Sequence, residues 1–157
     1  MKPLFMSILI LILTVAVSSC GFQLRGSLES SFKTIQITGG SPEFTKILIK
    51  RYRQSGVEIK NDSAEKTVDI IVDNLQKKIL SIGSSGEVRE YQLNYHISYR
   101  IKGKNGEWGS PIKVSSTREY TYNNQNIVAK QEEENNLIKG MRDQIIRAMT
   151  SQISSSK

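Results

Sequence analysis

The chain is poor in the residues that carry most enzymatic and metal chemistry. It has one cysteine, Cys20, and one histidine, His96, among 157 residues. A single cysteine excludes an intramolecular disulfide, so packing must hold the fold together. One histidine and one cysteine are too few ligands for a usual zinc site. We therefore expect no metal and no cofactor, and we predict that the protein is not an enzyme.

Two groups remain as catalytic candidates. His96 alternates with the apolar residues of a predicted strand, which places it on a polar sheet face where a solvated histidine is expected. Glu132 to Glu134 are consecutive, and consecutive residues of a helix point about 100° apart, so these carboxylates do not form a pair. An envelope hydrolase stays open as an alternative, without an identified site.

Long apolar runs are also scarce, and the one uncharged run stands near the start, from Pro3 to Ser19. Lys2 precedes it, and Leu4 to Val17 has the length of a secretory apolar core. A membrane-spanning helix needs about 20 apolar residues, which makes this run marginal as a span. The pattern predicts that residues 1–19 are a signal peptide that is removed.

The end of this run resembles the lipobox of bacterial lipoproteins. Val17, Ser18 and Ser19 lead directly into Cys20. The resemblance implies that the Cys20 sulfur carries a diacylglyceryl group and that its amine is acylated. Since each buried methylene contributes about 0.8 kcal/mol, several acyl chains would attach the protein firmly to a membrane. An ordinary export signal and an N-terminal anchor helix are the alternatives.

Acidic residues are fewer than basic residues. The chain has 22 basic and 15 acidic residues, and removing Lys2 leaves 21 basic residues and a net charge of +6. Spread positive charge favours acidic partners, which in a cell envelope are phosphorylated lipids and sugars. The export signal argues against nucleic acid as the partner.

The first part of the mature chain predicts a tether, a strand and a helix. Residues 20–31 form the tether, and Phe32 to Thr38 follow as a brief strand. Ser41 is the predicted helix N-cap with Pro42 at the first helical position, and Gly56 ends the helix. Val57 to Ile59 are a candidate short strand after Gly56. One face of this helix is apolar and comprises Phe44, Ile47, Leu48 and Tyr52.

The middle of the chain predicts half-buried antiparallel strands. Apolar residues alternate from Val68 to Val72 and again from Tyr91 to Ile101. A turn at Ser84-Ser85 predicts the pairs Val68–Ile101, Ile70–Tyr99 and Val72–Ile97. A second turn at Asn105-Gly106 predicts the pairs Ile97–Val114, Tyr99–Ile112 and Tyr91–Tyr120. Both registers bring apolar residues to one face.

The last part, Asn126 to Ile153, has apolar residues at helical spacing, and residues 154–157 follow as a frayed tail. Residues 32–153 are therefore predicted to form a single domain. Its fold class is α+β: a two-layer sandwich with two amphipathic helices packed on one face of a mostly antiparallel, four-stranded sheet.

Three segments, taken together, resemble one family. Cys20 to Gly26 resembles the aromatic and Leu-Arg opening that follows the lipidated cysteine of LptE, the lipopolysaccharide-assembly lipoprotein. Glu90 to Leu93 resembles the strand after the central hairpin turn of that family. Ala129-Lys130, with Glu132 to Glu134, Met141 and Arg142, resembles its last helix. The order and spacing of these segments cover essentially the whole mature chain.

The resemblance implies a partner, a ligand and a location. The partner is the outer-membrane β-barrel LptD, which the protein would stabilise and partly plug, and the ligand is lipopolysaccharide. Gly21 after the lipidated cysteine implies the periplasmic face of the outer membrane. Lys130 matches one basic lipid-binding position of the family. The other falls near Ser84-Ser85, which are uncharged, so Arg89, Lys77 and Lys78 are substitute candidates.

A different class of function stays open beside this one. A stand-alone envelope lipoprotein would bind a lipid or glycan, or would anchor to peptidoglycan, without any barrel partner. Depletion separates the two hypotheses, because only the first predicts loss of an assembled barrel and of surface lipopolysaccharide.

Overall fold

The computed structural model describes residues 28–103 and 105–156. The predicted signal peptide, Cys20 and the tether up to residue 27 lie outside the described residues. In chain order the elements are β1 (Thr34–Gly39), α1 (Pro42–Gln54), β2 (Glu58–Ile59), β3 (Lys66–Ile82), β4 (Val88–Lys102), β5 (Ile112–Thr121), a 3-10 turn (Asn124–Asn126) and α2 (Ile127–Ser155).

The predicted α+β class is confirmed, but the predicted number of strands is wrong. The described residues form a five-stranded sheet in the order β2-β1-β3-β4-β5. Strand β1 is parallel to both β2 and β3, whereas β4 is antiparallel to both β3 and β5. The extra strand forms because the Glu58 amide donates to the Lys33 carbonyl and the Lys60 amide to the Ile35 carbonyl. These bonds hold the chain beside β1 after it leaves α1.

Helix α1 begins and ends where the sequence predicts. The Ser41 side chain accepts a hydrogen bond from the Phe44 amide at 3.2 Å, and Pro42 occupies the first turn. Ser55 caps the C-terminus, and Gly56 follows with a φ of +79°, a conformation that glycine adopts without steric cost. Local sequence signals therefore set both ends of this helix.

Helix α2 continues two residues beyond its predicted end at Ile153. The Ser31 amide donates to Ser154 Oγ at 3.2 Å, and Ser31 Oγ donates to the Ser154 carbonyl at 3.0 Å. Lys66 Nζ donates to the Ser156 carbonyl. Residues 154–156, predicted as a tail, are thus bonded to the domain, because long-range partners satisfy the last carbonyls of the helix.

Both helices pack on the same face of the sheet and enclose one core. Phe44 on α1 makes an edge-to-face contact with Tyr95 on β4, and Thr150 on α2 donates to the Tyr52 hydroxyl of α1 at 3.2 Å. The largest fully buried side chains come from both helices, β1 and β4: Ile35, Phe44, Leu48, Tyr52, Leu93, Tyr95, Ile97, Tyr99, Met141, Ile145, Ile146 and Met149.

The predicted strand registers are confirmed with one exception. All three pairs predicted between β4 and β5 occur. Between β3 and β4, Val68 pairs with Ile101 and Ile70 with Tyr99, as predicted. The predicted pair Val72–Ile97 is wrong, since a β-bulge between Ile70 and Val72 shifts the register by one residue.

The bulge exchanges the two faces of β3. Beyond it, Asp73 instead of Val72 stands opposite the core residue Ile97 and points toward the helices. Asp73 accepts hydrogen bonds there from the Ser41 amide and hydroxyl and from the Tyr95 hydroxyl. The extra residue of the bulge thus re-aims the Asp73 side chain toward the start of α1, where it is the acceptor for Ser41.

Gly140 in the middle of α2 gives the first testable prediction. The residue is exposed, and a Cβ at this position would meet no atom within 4 Å. Replacing Gly140 with alanine should raise the free energy of unfolding by about 0.5–1 kcal/mol, because alanine loses less backbone entropy in a helix. Urea denaturation measures this change.

Gly56→Ala is the matched control. A Cβ would also meet nothing at Gly56, but its φ is +79°, so alanine there should lower the stability. A Gly140→Ala variant less stable than the parent protein would contradict the prediction.

Candidate functional site

Two of the four basic candidates line the same groove. Arg89 lies at the start of β4 and Lys130 in the first turn of α2, and both line a groove of about 480 Å³. The groove lies at the end of the sheet that carries the β3–β4 turn. Its other lining residues come from three neighbouring segments: Ser81, Glu90, Thr121, Tyr122 and Asn123.

Hydrogen bonds fix the groove walls. Lys130 Nζ donates to Thr121 Oγ1 at 3.3 Å and to Glu133 Oε2 at 2.8 Å. Ser81 Oγ donates to Glu90 Oε2 at 2.6 Å across the hairpin. The Lys130 ammonium is therefore held at the groove by α2, with an exposed carboxylate as its present partner. A phosphate, which carries more negative charge than Glu133, suits the same ammonium.

Lys77 lies on the helix-facing side of β3, in an aromatic and acidic cluster. Its Nζ is 2.6 Å from Glu134 Oε2 and 4.2 Å from the centroid of the Tyr91 ring. The Tyr120 hydroxyl donates to the same Glu134 oxygen at 2.6 Å. Lys77 thus joins the β3–β4 hairpin to helix α2.

The pKa shifts in this cluster favour the charged forms of Lys77 and Glu134. Burial disfavours the charged form of Glu134, but the hydrogen bonds from Lys77 and Tyr120 outweigh it and lower the pKa of Glu134. Burial also acts to lower the pKa of Lys77, yet Glu134 and Tyr120 raise it above its ordinary value. Burial and then the Glu134 hydrogen bond raise the pKa of Tyr120 to about 12. At neutral pH both members of the ion pair are charged.

Lys78 is separate from the other three candidates. It pairs opposite Gln92 on the sheet face that turns away from the helices, and it is exposed. The structure therefore brings Arg89 and Lys130 together, pairs Lys77 with Glu134 on the helix-facing side of the sheet, and leaves Lys78 on the other side of the sheet. Spacing alone does not separate Lys77 from Lys78, because the bulge decides which of them faces the helices.

Exposed apolar side chains occur at the same end of the domain. We call this group the apolar tip, and it comprises Ile79, Leu80, Ile82, Ile127 and Val128. Their exposed fractions run from 45% for Leu80 to 84% for Val128. The sequence did not lead us to predict this exposed group. The adjacent apolar pairs Ile79-Leu80 and Ile127-Val128 could have indicated it, because they fit neither strand alternation nor a single helix face.

The structure adds no catalytic constellation in the residues that it describes. His96 is half-buried on the polar sheet face between Asn74 and Ser115, as predicted. No group of three His, Cys, Asp or Glu side chains that would hold a metal ion occurs between residues 28 and 156, residue 104 aside. Across the same residues, no helix combines the length and the apolar character that crossing a membrane requires.

Comparison with known proteins identifies the family. A family model described as LptE, lipopolysaccharide-assembly, matches residues 32–153, which is most of the chain. The chain belongs to the LptE family. The LPS-assembly lipoprotein LptE of Photorhabdus laumondii is 24% identical over 98% of this chain and 87% of that protein. The LPS-assembly lipoprotein LptE of Yersinia enterocolitica is 30% identical over 87% of this chain and 70% of that protein.

Solved structures of lipoproteins share the fold of this LptE-family chain. An uncharacterized lipoprotein B from Nitrosomonas europaea has a TM-score of 0.70 and 25% identity, covering 86% of this chain and 91% of its own. The rare lipoprotein B from Shewanella oneidensis has a TM-score of 0.63 and 26% identity over 76% and 95%. The chain is therefore a member of a lipoprotein family that is involved in lipopolysaccharide assembly. The predicted family is confirmed.

Proposed function

We propose that this LptE-family chain is a lipoprotein of the outer membrane, anchored at the periplasmic face through lipid on Cys20. There it binds lipopolysaccharide at the Arg89–Lys130 groove. It also assembles and partly plugs the barrel LptD, which delivers lipopolysaccharide to the outer leaflet. It acts by binding and positioning, without catalysis.

The observation that carries the lipid-binding part is the groove with its apolar neighbours. Arg89 and Lys130 supply cations at one groove, and the exposed aliphatic side chains of the apolar tip lie at the same end of the domain. A lipopolysaccharide molecule combines phosphates with acyl chains, so its two chemical parts match these two surfaces. Charge-assisted hydrogen bonds from Arg and Lys to phosphate are stronger than neutral ones and can compete with bridging divalent ions.

The sheet face that turns away from the helices supports the barrel part of the proposal. It carries Asn94, His96, Ser98 and Arg100 on β4 alone, all half-buried. The interior wall of a large outer-membrane barrel is polar and wet, so a polar sheet face is compatible with it. The hairpin and the start of α2, at the end remote from the chain entry at Leu28, would then reach farthest into the barrel.

Lys130→Glu tests the lipid site. We expect this variant to bind lipopolysaccharide about tenfold or more weakly, because the ammonium at the groove becomes a carboxylate that repels phosphate. Binding of purified protein to immobilised lipopolysaccharide measures the change. Lys46→Glu, at an exposed position of α1, makes the same charge change away from the groove and should bind as the parent does.

The same variants test the barrel part separately. After gentle detergent extraction of the envelope, both Lys130→Glu and the parent should recover a large barrel protein in a pull-down. Unchanged lipopolysaccharide binding by Lys130→Glu would remove Lys130 from the site. Absence of any barrel from the parent pull-down would favour a stand-alone envelope lipoprotein.

A further inference from the structure

Strand β3 extends far beyond its partner β1. The pairing of the two strands ends where Gly39 stands opposite Ile70, and the Gly40 amide donates to the Ile70 carbonyl at 3.0 Å. From there β3 continues to Ile82, and within the described residues β4 is the strand that pairs with this continuation. We call the other side of residues 72–78 the free edge. This stretch lies between the bulges of β3 and keeps one register with β4.

The free edge presents backbone groups without a backbone partner. In an antiparallel ladder, alternate residues direct their N–H and C=O groups toward the neighbouring strand, and the others direct them away from it. Every second residue of the free edge therefore turns both groups away from β4. Across the part of the chain that the structure describes, no backbone hydrogen bond reaches these groups. Such a row of donors and acceptors is a template for one further extended strand.

Apolar side chains at the free edge also remain uncovered. Ile71, directly before it, and Val72 and Leu75 within it are exposed, and none of them belongs to the apolar tip. Leu75 lies on the helix-facing side of the sheet, because it stands opposite the core residue Tyr95. Helix α1 starts beside Asp73 and leads back to β2, so it does not cover Leu75.

The other edges of the sheet are protected against pairing. Strand β2 has two residues. On β5, the Arg118 guanidinium donates to the Thr117 carbonyl at 2.7 Å, and Lys113 is exposed. Short strands and charged side chains are devices that prevent pairing at an edge. At the free edge, Lys77 is held in its ion pair on the helix-facing side, which leaves Lys78 as an exposed charge.

A second copy of the chain is a poor occupant of the free edge. A two-fold axis would relate the copies, so their β3 strands would run antiparallel. Ile82 of the second copy would reach no farther than Val72, since β1 and the start of α1 occupy the positions beyond. This limit centres the pairing near Lys77 and Lys78, so lysines of the two copies would stand opposite or beside each other. Like charges at opposite positions destabilise a strand pair.

We propose that the free edge takes up an extended segment of the barrel partner as an additional strand of the sheet. The segment pairs through its backbone, contacts Leu75 with an apolar side chain and places an acidic side chain beside Lys78. The inference rests on the proposed insertion of the hairpin into the barrel, because that insertion brings the free edge inside the partner. It is separate from lipid binding at the groove of Arg89 and Lys130.

Hydrogen exchange resolved to single amides tests the pairing. The full lipidated chain is measured alone and in the complex with the barrel, co-purified in mild detergent. In the isolated chain, the free-edge amides that turn away from β4 should exchange fast, whereas those that turn toward β4 are already slow. In the complex the first set should slow by about a hundredfold or more, because each of these amides gains a hydrogen bond.

Lys78→Glu tests the chemistry of the partner segment, and Lys113→Glu is its matched control. Both lysines are exposed on the sheet face that turns away from the helices, but Lys113 lies on β5. Lys78→Glu should lower the protection of the free edge in the complex by about three- to tenfold, because like charges favour local opening. Lys113→Glu should keep the protection of the parent. Equal protection in the two variants would overturn the acidic segment.

The remaining outcomes separate this pairing from the proposed function. A barrel complex in which the free-edge amides exchange as fast as in the isolated chain would overturn the pairing and leave the barrel partnership intact. An isolated chain that dimerises and protects the same amides would identify a second copy as the occupant and would also overturn it. Failure to recover any barrel with the parent chain would overturn the partnership and the pairing together.

Discussion

Replacing Gly39 with alanine is expected to lower the free energy of unfolding by about 3–5 kcal/mol. A Cβ at this position would lie 2.2 Å from the carbonyl oxygen of Ile70, which belongs to the backbone of β3. Gly39 also has a φ of +71°, in the left-handed region that side chains disfavour. The strand cannot move away, because the Gly40 amide donates to the same carbonyl at 3.0 Å.

Gly86→Ala separates the cost of the left-handed φ from the cost of the contact with the Ile70 carbonyl. Gly86, in the β3–β4 turn, has a φ of +81°, but a Cβ there would meet nothing within 4 Å. Alanine at this position should therefore cost only the conformational part, about 1–2 kcal/mol. Chemical denaturation of both variants measures the difference. Equal losses at the two sites would show that the contact with Ile70 carries no cost.

Replacing Asp73 with alanine is expected to lower the free energy of unfolding by about 2–4 kcal/mol. Asp73 Oδ1 accepts from the Tyr95 hydroxyl at 2.8 Å, and Oδ2 accepts from the Ser41 amide at 3.2 Å and from the Ser41 hydroxyl. Burial, and then the bond to Asp73, raises the pKa of Tyr95, so this hydroxyl stays a neutral donor. Alanine would leave the Ser41 and Tyr95 donors without their acceptor on the helix-facing side of the sheet.

Two further variants, Tyr95→Phe and Asp73→Asn, show how much of this loss of stability comes from each hydrogen bond. Phenylalanine removes one donor and should cost about 0.5–1.5 kcal/mol, and asparagine keeps one acceptor oxygen and should fall between the parent and Asp73→Ala. Urea denaturation followed by circular dichroism gives all three values. A loss below about 0.5 kcal/mol for Asp73→Ala, the range of ordinary surface changes, would show that the network does not stabilise the fold.

The elements of the fold were predictable where local chemistry decides them. Ser41 and Pro42 mark the start of α1, and the requirement that apolar residues share one face predicts the register of β4 with β5. The turn itself does not set this register, because the bridge Lys102–Trp108 beside it is shifted by one residue. Val57 to Ile59 were a candidate short strand, but the pairing of β2 as a fifth strand beside β1 was not predicted, because two residues carry no periodicity. This pairing depends on the position at which the chain leaves α1.

The candidate site was only partly predictable for a similar reason. Basic residues near the hairpin were visible in the sequence, but whether Arg89, Lys77 or Lys78 shares a groove with Lys130 depends on which face each one occupies. The bulge after Ile70 sets those faces for β3. Alternation along β3 does not reveal an inserted residue, and the partner that the bulge gives to Asp73, Ser41 at the start of α1, is distant in the chain.

The sequence by itself determined the class of the fold, the ends of α1, the lipobox prediction at Cys20 and the family resemblance, because each depends on neighbouring residues or on a regular period. Only the tertiary structure decided which charges meet. It placed Arg89 beside Lys130 at one groove and paired Lys77 with Glu134. These contacts join residues that are distant in the chain, and packing of the whole sandwich is what sets their distances.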